Sequence, residues 1–476
     1  MKKTIWRRVG QRWRRGACAA TVLLSACSTQ LPGVPATLSA AGSEPPRKAA
    51  ATDGMPQDWS LDALVIVSRH GVRSPTRPEP PLESLSPDPW PQWPVPTAHL
   101  TDRGAALVSQ MGRYYGDWLR ARGVLPASGC PATGTLYGWA DVDQRTRLTG
   151  DALLLGMAPG CGIHSDHRAA LDEKDPIFHA MESGACPVDP VQAKRDIEAH
   201  AGEGGVATLG RRYAASLTRM SEVLDYAHSA DCARHGGQCD YARQPNRVEI
   251  RPDGLHAALK GPMGSASTVS EVFLLEHGQG LPQEQVAWGR IHDAQDWTLL
   301  MQAHNAQFDL MAKTPYMATR RGTPMLASVL DALERRAGAP APELAVKGPK
   351  LPQGNRVYVL TAHDTNLAHL AGLLHLDWTL PEQPDDTPPG GAMVFSLWRE
   401  PGTQARFVRV EMVYQSMDQL RQLTPLSLAQ PPHRLILPLP GCADAAHGHA
   451  CSLPEFSRRV RAALSPSCLE AVTAAH

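Results

Sequence analysis

Residues 62–79 have the sequence DALVIVSRHGVRSPTRPE. The apolar run at 63–67 predicts a buried strand. Arg69, His70 and Arg73 follow this run directly. In open α/β sheets, ligands bind beyond the carboxyl ends of the strands. A histidine between two arginines at such an end therefore indicates a binding or catalytic site.

The chain is long and apolar enough to bury a large core. It has 476 residues, of which 42% are hydrophobic. This length corresponds to one large domain or two ordinary ones. The hydrophobic content excludes a globally disordered chain.

The N-terminus is typical of a secretory signal: MKKTIWRRVGQRWRRGACAATVLLSACSTQ has basic residues, then a short apolar run, then small residues. The apolar run is too short to span a bilayer. Residues 24–27 resemble a bacterial lipobox, with Cys27 as the acylated residue, and Ser28 is typical of lipoproteins sent to an outer membrane. We predict a lipoprotein signal peptide at 1–26. A soluble periplasmic protein cut nearby is the alternative.

Residues 27–57 are rich in Pro, Ala, Ser and Gly, which predicts a flexible tether between membrane and domain. Residues 1–26 carry seven Lys or Arg and no Asp or Glu, so the remainder has 40 basic against 47 acidic residues, a net charge of about −7. No basic tract remains to bind nucleic acid. An anion site must therefore be a local cationic pocket in an acidic protein.

Ten cysteines are present, of which Cys18 leaves with the signal peptide and Cys27 is the lipidation candidate. An even number of remaining cysteines in an exported chain predicts four disulfides. Spacing does not determine their pairing, although 232–239 and 442–451 are the simplest local pairs. No CxxC pair is present, which argues against a zinc site. The remaining cysteines are Cys130, Cys161, Cys186, Cys232, Cys239, Cys442, Cys451 and Cys468.

Strand and helix patterns alternate along the chain. Residues 100–123 predict a helix, because Thr101 can cap it and apolar residues recur at helical spacing. Residues 135–140 and 355–362 have the pattern of short strands. A turn that enters a helix is predicted between these two strands, from residue 141 onwards.

A helical block interrupts this alternation. Residues 165–335 have mostly helical patterns, including 210–229 and 268–277, and residues 390–415 alternate like a late hairpin. The order predicts an α/β fold with a central mixed sheet flanked by helices and a smaller, mostly α-helical inserted domain. The predicted boundaries are 58–164 and 336–476 for the α/β domain and 165–335 for the insertion.

Three predicted strands end in charged residues, at 69–73, 141–145 and 363–364. If these strands are parallel neighbours, their ends converge on one site. The guanidinium groups there match phosphoryl oxygens and stay charged, so they can neutralise a transferring phosphoryl group without a metal. No metal-ligand motif appears; His164 and His167 come nearest, and an exposed loop explains them better. The candidate residues are Arg69, His70, Arg73, Arg145, His363 and Asp364.

The motif RHGVRSP at 69–75 resembles that of the histidine acid phosphatases, a branch of the histidine phosphatase superfamily, and HDTN at 363–366 resembles their second motif. The resemblance continues, in family order, through ADVDQRTRLTG, EVFLLEHGQG, AWGRI, HNAQF, DDTPPGG and TPLSL. It covers nearly everything from residue 60 to the C-terminus. The chain most resembles the bacterial periplasmic phytase/acid phosphatases, with glucose-1-phosphatases as near relatives.

The resemblance implies a role for each matching residue. His70 is the expected nucleophile, which forms a phosphohistidine. Asp364 is the expected proton donor to the leaving group. The resemblance further implies phosphate binding by Arg69, Arg73, Arg145 and His363, and substrate binding by Thr76, Arg77 and Glu271. The implied disulfides are Cys130–Cys161, Cys186–Cys468, Cys232–Cys239 and Cys442–Cys451.

Several of these residues have structural alternatives. Arg145 can pair with Asp141 or Asp143 as a salt bridge at a helix start. His363 and Asp364 can form a turn and an N-cap, since Asp is a favoured cap.

Two further features also have a second interpretation. Thr268 and Glu271 have the spacing of a capping box, in which Glu271 would have no role in the site. The Pro-rich stretch 74–96 is either a wall of the site, a rigid surface loop or a polyproline ligand.

We therefore expect a secreted, metal-independent acid phosphomonoesterase that acts through phosphohistidine, with phytate (myo-inositol hexakisphosphate) as the first substrate to test. A glucose-1-phosphatase or other sugar-phosphate phosphatase is the main alternative. A phosphoglycerate-mutase-like transferase and a non-catalytic phosphate-binding lipoprotein are weaker ones. We expect no cofactor, no nucleic-acid partner, a monomeric state, and membrane contact only through an N-terminal lipid in the periplasm.

Overall fold

The computed structural model describes residues 53–236, 239–339, 344, 348–442 and 444–469. The predicted signal peptide, Cys27 and the tether up to residue 52 lie outside these residues. Within the described ranges, no helix is both long and apolar enough to cross a membrane.

Eight strands form one mixed sheet in the order β10-β8-β7-β1-β6-β2-β3, with β9 paired to β8, and β4 and β5 form a separate hairpin. The strands are β1 Ser60–Arg69, β2 Leu136–Ala140, β3 Ser165–His167, β4 Arg247–Ile250, β5 Ala257–Lys260, β6 Val357–Ala362, β7 Ala392–Arg399, β8 Arg406–Tyr414, β9 His433–Ile436 and β10 Cys451–Ser452. The predicted strands and the late hairpin β7–β8 are confirmed, as is the mixed sheet.

Helices flank this sheet, as predicted. They are α1 Leu82–Leu85, α2 Asp102–Ala121, α3 Gln144–Met157, α4 Pro190–His200, α5 Leu209–Arg212, α6 Ala214–Leu224, α7 Ala230–Arg234, α8 Pro262–Gln279, α9 Ala294–Met311, α10 Pro315–Ala337, α11 Asp364–Leu374, α12 Met417–Gln422 and α13 Leu453–Ala463. The predicted cap of α2 is present, because the Thr101 side chain accepts a hydrogen bond from the Gly104 N–H at 2.9 Å.

Strand β1 is buried from its second residue to its last because helices cover both faces of the sheet. Successive side chains point to opposite faces. Val65 and Val67 join the core cluster that includes α10 and α11. Leu64 and Ile66 join the cluster that includes α2 and α3. This two-sided burial explains why the strand is an apolar run rather than an alternating one.

The three strands with charged ends are adjacent and parallel, which is the condition under which their ends converge on one site. Strand β6 lies between β1 and β2, and it pairs in parallel with both. The register places Arg69 opposite Ala362, and the Asp141 N–H donates to the Thr361 carbonyl at 3.1 Å. The three charged ends therefore leave the same edge of the sheet side by side.

Between β3 and α10 the chain is mostly helical, and its helices share a hydrophobic cluster with the β4–β5 hairpin. The helical pattern at 210–229 is interrupted in the structure. Helix α6 ends before Asp225, whose φ of 50° lies in the left-handed region, and a 3-10 turn follows at Tyr226–His228. The boundaries 165–335 of an inserted domain stay a prediction.

Four disulfides join the pairs that the resemblance implies: Cys130–Cys161, Cys186–Cys468, Cys232–Cys239 and Cys442–Cys451. Disulfides persist in oxidising compartments, so this number fits an exported protein.

The first described residues, from Asp53 onwards, belong to the segment that the sequence analysis assigned to the tether. Asp53 is 4% exposed, and its carboxylate accepts hydrogen bonds from the Trp118 indole at 2.6 Å and from the Arg122 Nε at 2.8 Å. These contacts fix residue 53 to the end of α2.

Candidate active site

His70 lies directly after β1 and is 1% exposed. Its backbone N–H donates to the Ala362 carbonyl at 3.0 Å, which extends the parallel ladder by one residue. Its ring Nδ1 lies 3.0 Å from the Gly71 carbonyl oxygen. Because a carbonyl oxygen only accepts, Nδ1 carries the hydrogen, and Nε2 of the neutral ring keeps its lone pair.

The surroundings of His70 favour this neutral form. Burial and the positive charges of Arg145, Arg73 and Arg69 hold the pKa of His70 well below its ordinary value. A neutral imidazole with a free Nε2 lone pair is a competent nucleophile.

Arg69 is completely buried at the end of β1. Its Nη1 donates to the Asp385 carboxylate at 2.8 Å, and its Nη2 lies 3.1 Å from Asp364 Oδ2 and hydrogen-bonds to Glu271. Carboxylates from three distant parts of the chain therefore surround this guanidinium. Burying a charge is costly unless it is paired, which accounts for so many partners.

Glu271 lies between two of the predicted phosphate-binding arginines. Besides Arg69, it accepts hydrogen bonds from Arg73 Nη2 at 2.9 and 3.0 Å. Burial raises the pKa of the Glu271 carboxyl, but Arg73 and Arg69 outweigh that effect and lower it overall. The capping-box alternative does not apply, because Thr268 lies inside α8 and its hydroxyl donates to the Gly264 carbonyl.

Arg145 lies in the first turn of α3. Its Nη2 is 2.6 Å from Asp143 Oδ2, as the salt-bridge alternative anticipates, and 3.4 Å from His363 Nδ1. The two interpretations of Arg145 are therefore compatible, since the salt bridge holds its guanidinium beside a second candidate residue.

His363 and Asp364 lie where β6 turns into α11. His363 is the N-cap residue, and its N–H donates to Asn366 Oδ1 at 3.0 Å, so Asp364 is the first residue of the helix rather than its cap. The rings of His363 and His70 are 5.7 Å apart. Burial raises the pKa of the Asp364 carboxyl, but Arg69 and His363 outweigh it and bring the pKa to about 2.

Six predicted residues thus form one continuous group with Glu271. The Nε atoms of Arg69, Arg73 and Arg145 are buried and have no hydrogen-bond partner among the described residues. Buried polar groups are normally paired. These unpaired donors fit a site that is completed by an anionic ligand.

Thr76 and Arg77 are exposed and follow Arg73 of this group by three and four residues. They line a cavity of about 770 Å³ together with the Pro-rich segment that follows them. The segment is packed on the protein: Trp90 stacks on Phe273 at 5.8 Å and contacts Trp288 edge-on at 4.8 Å. This packing favours the wall of a site over a free polyproline ligand.

The sequence analysis missed three residues that bind a member of the group or a residue next to it. Asp385 anchors Arg69, Thr149 accepts the Gly71 N–H on its hydroxyl at 3.0 Å, and His179 shares the Asp141 carboxylate with His363. Asp385 lies in the DDTPPGG segment, which the sequence analysis recognised as a family motif without assigning a role to this residue. His179 lies outside every recognised motif, and no sequence signal identifies it.

The family model described as histidine phosphatase superfamily (branch 2) matches residues 60–208 and 210–413. Phytase AppA of Escherichia coli K12 is 38% identical over 415 residues, which cover 86% of this chain and 94% of that protein. A glucose-1-phosphatase of Salmonella typhimurium is 30% identical over 409 residues, which cover 84% of this chain and 92% of that protein.

Solved structures agree with these matches. The apo form of Hafnia alvei phytase superposes with a TM-score of 0.81 at 42% identity and covers 87% of this chain and all of that one. The same phytase in complex with myo-inositol hexakis sulphate gives a TM-score of 0.80 at 41% identity, again over 87% of this chain and all of that one.

Proposed function

The chain belongs to the histidine phosphatase superfamily (branch 2), and from this membership we propose that His70 takes the phosphoryl group from a phosphate monoester, with myo-inositol hexakisphosphate as the preferred substrate. The enzyme is a phytase-like phosphatase. The observation that carries the proposed mechanism is the neutral, buried His70 ring beside three arginines.

The first step forms a phosphoenzyme. His70 Nε2 forms a bond to phosphorus while the bond from phosphorus to the ester oxygen breaks, and Asp364 gives its proton to the departing alkoxide. Arg69, Arg73 and Arg145 neutralise the charge of the transferring phosphoryl oxygens. The negative charge of the bound ester favours the doubly protonated form of His363, which then donates a further hydrogen bond from Nδ1 to one of those oxygens.

The second step releases phosphate. Asp364, now a carboxylate, takes a proton from water as the water oxygen bonds to phosphorus and the bond from nitrogen to phosphorus breaks. All residues of both steps come from one chain, so the proposed chemistry needs no second subunit, and we propose that a monomer is sufficient for activity.

Glu271 competes with the incoming phosphate for Arg69 and Arg73. Binding an anion there requires these guanidinium groups to share or exchange their carboxylate partner. We infer that Glu271 preorganises the arginines in the free enzyme and gives up part of these contacts when the phosphate binds.

The preference for a polyanionic ester is supported by Arg77, an exposed cation on the wall of the 770 Å³ cavity. An ester with several phosphates gains from a cation outside the phosphate clamp. A hexakis sulphate, which carries the same kind of charge, is bound by the Hafnia alvei phytase. The glucose-1-phosphatase relatives support a sugar monophosphate as the alternative substrate.

Arg77→Ala is expected to lower kcat/KM for phytate about fivefold and to leave p-nitrophenyl phosphate hydrolysis within about twofold of wild type. A single solvated charge pair contributes about 1 kcal/mol, which corresponds to that factor. Steady-state kinetics on both esters measure the effect. Arg113→Ala is the matched control, because Arg113 is exposed on α2 outside the cavity. No detectable phosphate release from phytate by the wild type, with turnover of glucose 1-phosphate, would establish the alternative substrate instead.

We also propose export and lipid anchoring through Cys27, which the lipobox at 24–27 and the four disulfides support. The chain expressed with its signal should partition into the detergent phase of Triton X-114, whereas Cys27→Ser should move to the aqueous phase because it cannot be acylated. Cys18→Ser is the control, since Cys18 precedes the predicted cleavage. A wild type already in the aqueous phase would favour the soluble periplasmic alternative.

A further inference from the structure

Two histidines share one carboxylate beside the arginine group. Asp141 Oδ2 lies 2.7 Å from His363 Nε2 and 2.9 Å from His179 Nε2. Asp143 Oδ2 lies 3.8 Å from His363 Nε2. One potential ligand atom from each of these four side chains lies within 4.8 Å of the others, and no second such group occurs among the described residues.

The donor set has the composition of a transition-metal site. Imidazole nitrogens and carboxylate oxygens bind Zn²⁺ at about 2.0–2.2 Å, so tetrahedral ligand atoms lie about 3.3 Å apart. The Asp141 carboxylate needs to move only about half an ångström from the two rings to admit the ion. Two imidazoles favour zinc over Mg²⁺ or Ca²⁺, which prefer all-oxygen sites.

Two further observations point to a ligand here. Asp141 is fully buried, and its second oxygen, Oδ1, has no hydrogen-bond partner among the described residues. The side chains of His179 and Asp143 remain 18% and 27% exposed, so an ion can reach the group from solvent.

We propose that Asp141, Asp143, His179 and His363 bind a Zn²⁺ ion that inhibits the enzyme. The binding depends only on these residues, whereas the inhibition rests on the proposed function. A zinc ion bonded to His363 Nε2 fixes that ring on the metal. It also draws Asp143 away from Arg145, to which Asp143 is bound at 2.6 Å in the free protein. His363 and Arg145 are then no longer positioned to bind phosphate. Zinc itself takes no part in the reaction.

Zinc binding is tested first without substrate. Isothermal titration of the mature chain with zinc chloride at neutral pH, in phosphate-free buffer, should show a site that His179→Asn weakens at least tenfold, because one of its ligands is lost. His164→Asn should bind as wild type does: His164 is 74% exposed and 3.6 Å from Asp151, so it is a matched surface histidine with a carboxylate neighbour. Thermal unfolding of both variants checks that they fold.

Inhibition is tested with p-nitrophenyl phosphate, because phytate would itself bind the zinc. Zinc should lower the wild-type rate, and EDTA should restore it. The zinc concentration that gives half inhibition should be at least tenfold higher for His179→Asn than for wild type. Each protein is compared with its own zinc-free rate. Wild-type-like zinc affinity of His179→Asn would overturn the site. Binding that depends on His179 but leaves hydrolysis unchanged would overturn the inhibition. An enzyme inactive on every ester would refute the proposed function while the titration still tests the site.

Discussion

His70→Ala is expected to abolish hydrolysis of every phosphate monoester, with a loss of at least about 10⁴-fold in kcat. The substitution removes Nε2, the atom that bonds to phosphorus, and no neighbouring group replaces it. The arginines keep their carboxylate partners Glu271 and Asp385, so the fold and the affinity for inorganic phosphate should persist. Initial rates with phytate, glucose 1-phosphate and p-nitrophenyl phosphate measure the loss.

The same variant tests the covalent intermediate. Wild-type enzyme quenched during turnover of a labelled ester should carry an acid-labile phosphoryl group on His70, and His70→Ala should carry none. A circular dichroism spectrum and a thermal unfolding midpoint close to wild type show that the variant is folded. Retention of more than about one hundredth of the activity, or a phosphoryl label on another residue, would contradict the mechanism.

Asp364→Asn is expected to slow the hydrolysis of alkyl phosphates about 10²–10⁴-fold, because an alkoxide leaves poorly without a proton. The formation of phosphoenzyme from p-nitrophenyl phosphate should change little, since p-nitrophenolate leaves without protonation. The burst of p-nitrophenol in rapid-mixing experiments isolates this step from the later attack of water, in which Asp364 also acts. Equal losses for the burst and for phytate turnover would count against Asp364 as the acid.

The acidity of Asp364 gives this prediction a pH dependence. In the free protein its pKa is about 2, held down by Arg69 and His363, so the carboxyl is ionised over most of the pH range. The negative charge of a bound ester next to it raises the pKa again. Since only the protonated form can donate, alkyl phosphate hydrolysis should fall as pH rises. Asp364→Asn should lose this fall in pH–rate profiles, and a wild-type profile flat into the alkaline range would exclude the assignment.

The local pattern was sufficient for the elements that position the site. A five-residue apolar run predicted β1, which is buried on both faces, and Thr101 predicted the start of α2. Both follow from side-chain chemistry over a few residues. The convergence of the three charged strand ends followed from one further rule, that ligands bind at the carboxyl edge of a parallel sheet.

Predictions from local sequence pattern were wrong where contacts with distant residues or the backbone conformation decide the structure. Thr268 and Glu271 have capping-box spacing, yet α8 begins earlier, at Pro262, and Glu271 pairs with arginines about 200 positions away. The helical pattern across 210–229 is broken at Asp225, which adopts a left-handed conformation. In both places tertiary contacts or backbone geometry override a short-range preference.

The family and the type of fold were predicted correctly from the amino-acid sequence, and the residues proposed to carry the chemistry were identified there as candidates. Strand periodicity and short motifs involve only a few neighbouring positions, so they can be recognised without the folded structure. The contacts of these residues are visible only in the folded chain: Asp385 binds Arg69, Glu271 lies between two arginines, and His179 binds the carboxylate that also binds His363. These contacts join residues tens to hundreds of positions apart. Their energies arise from burial and charge pairing, which exist only after the chain has folded.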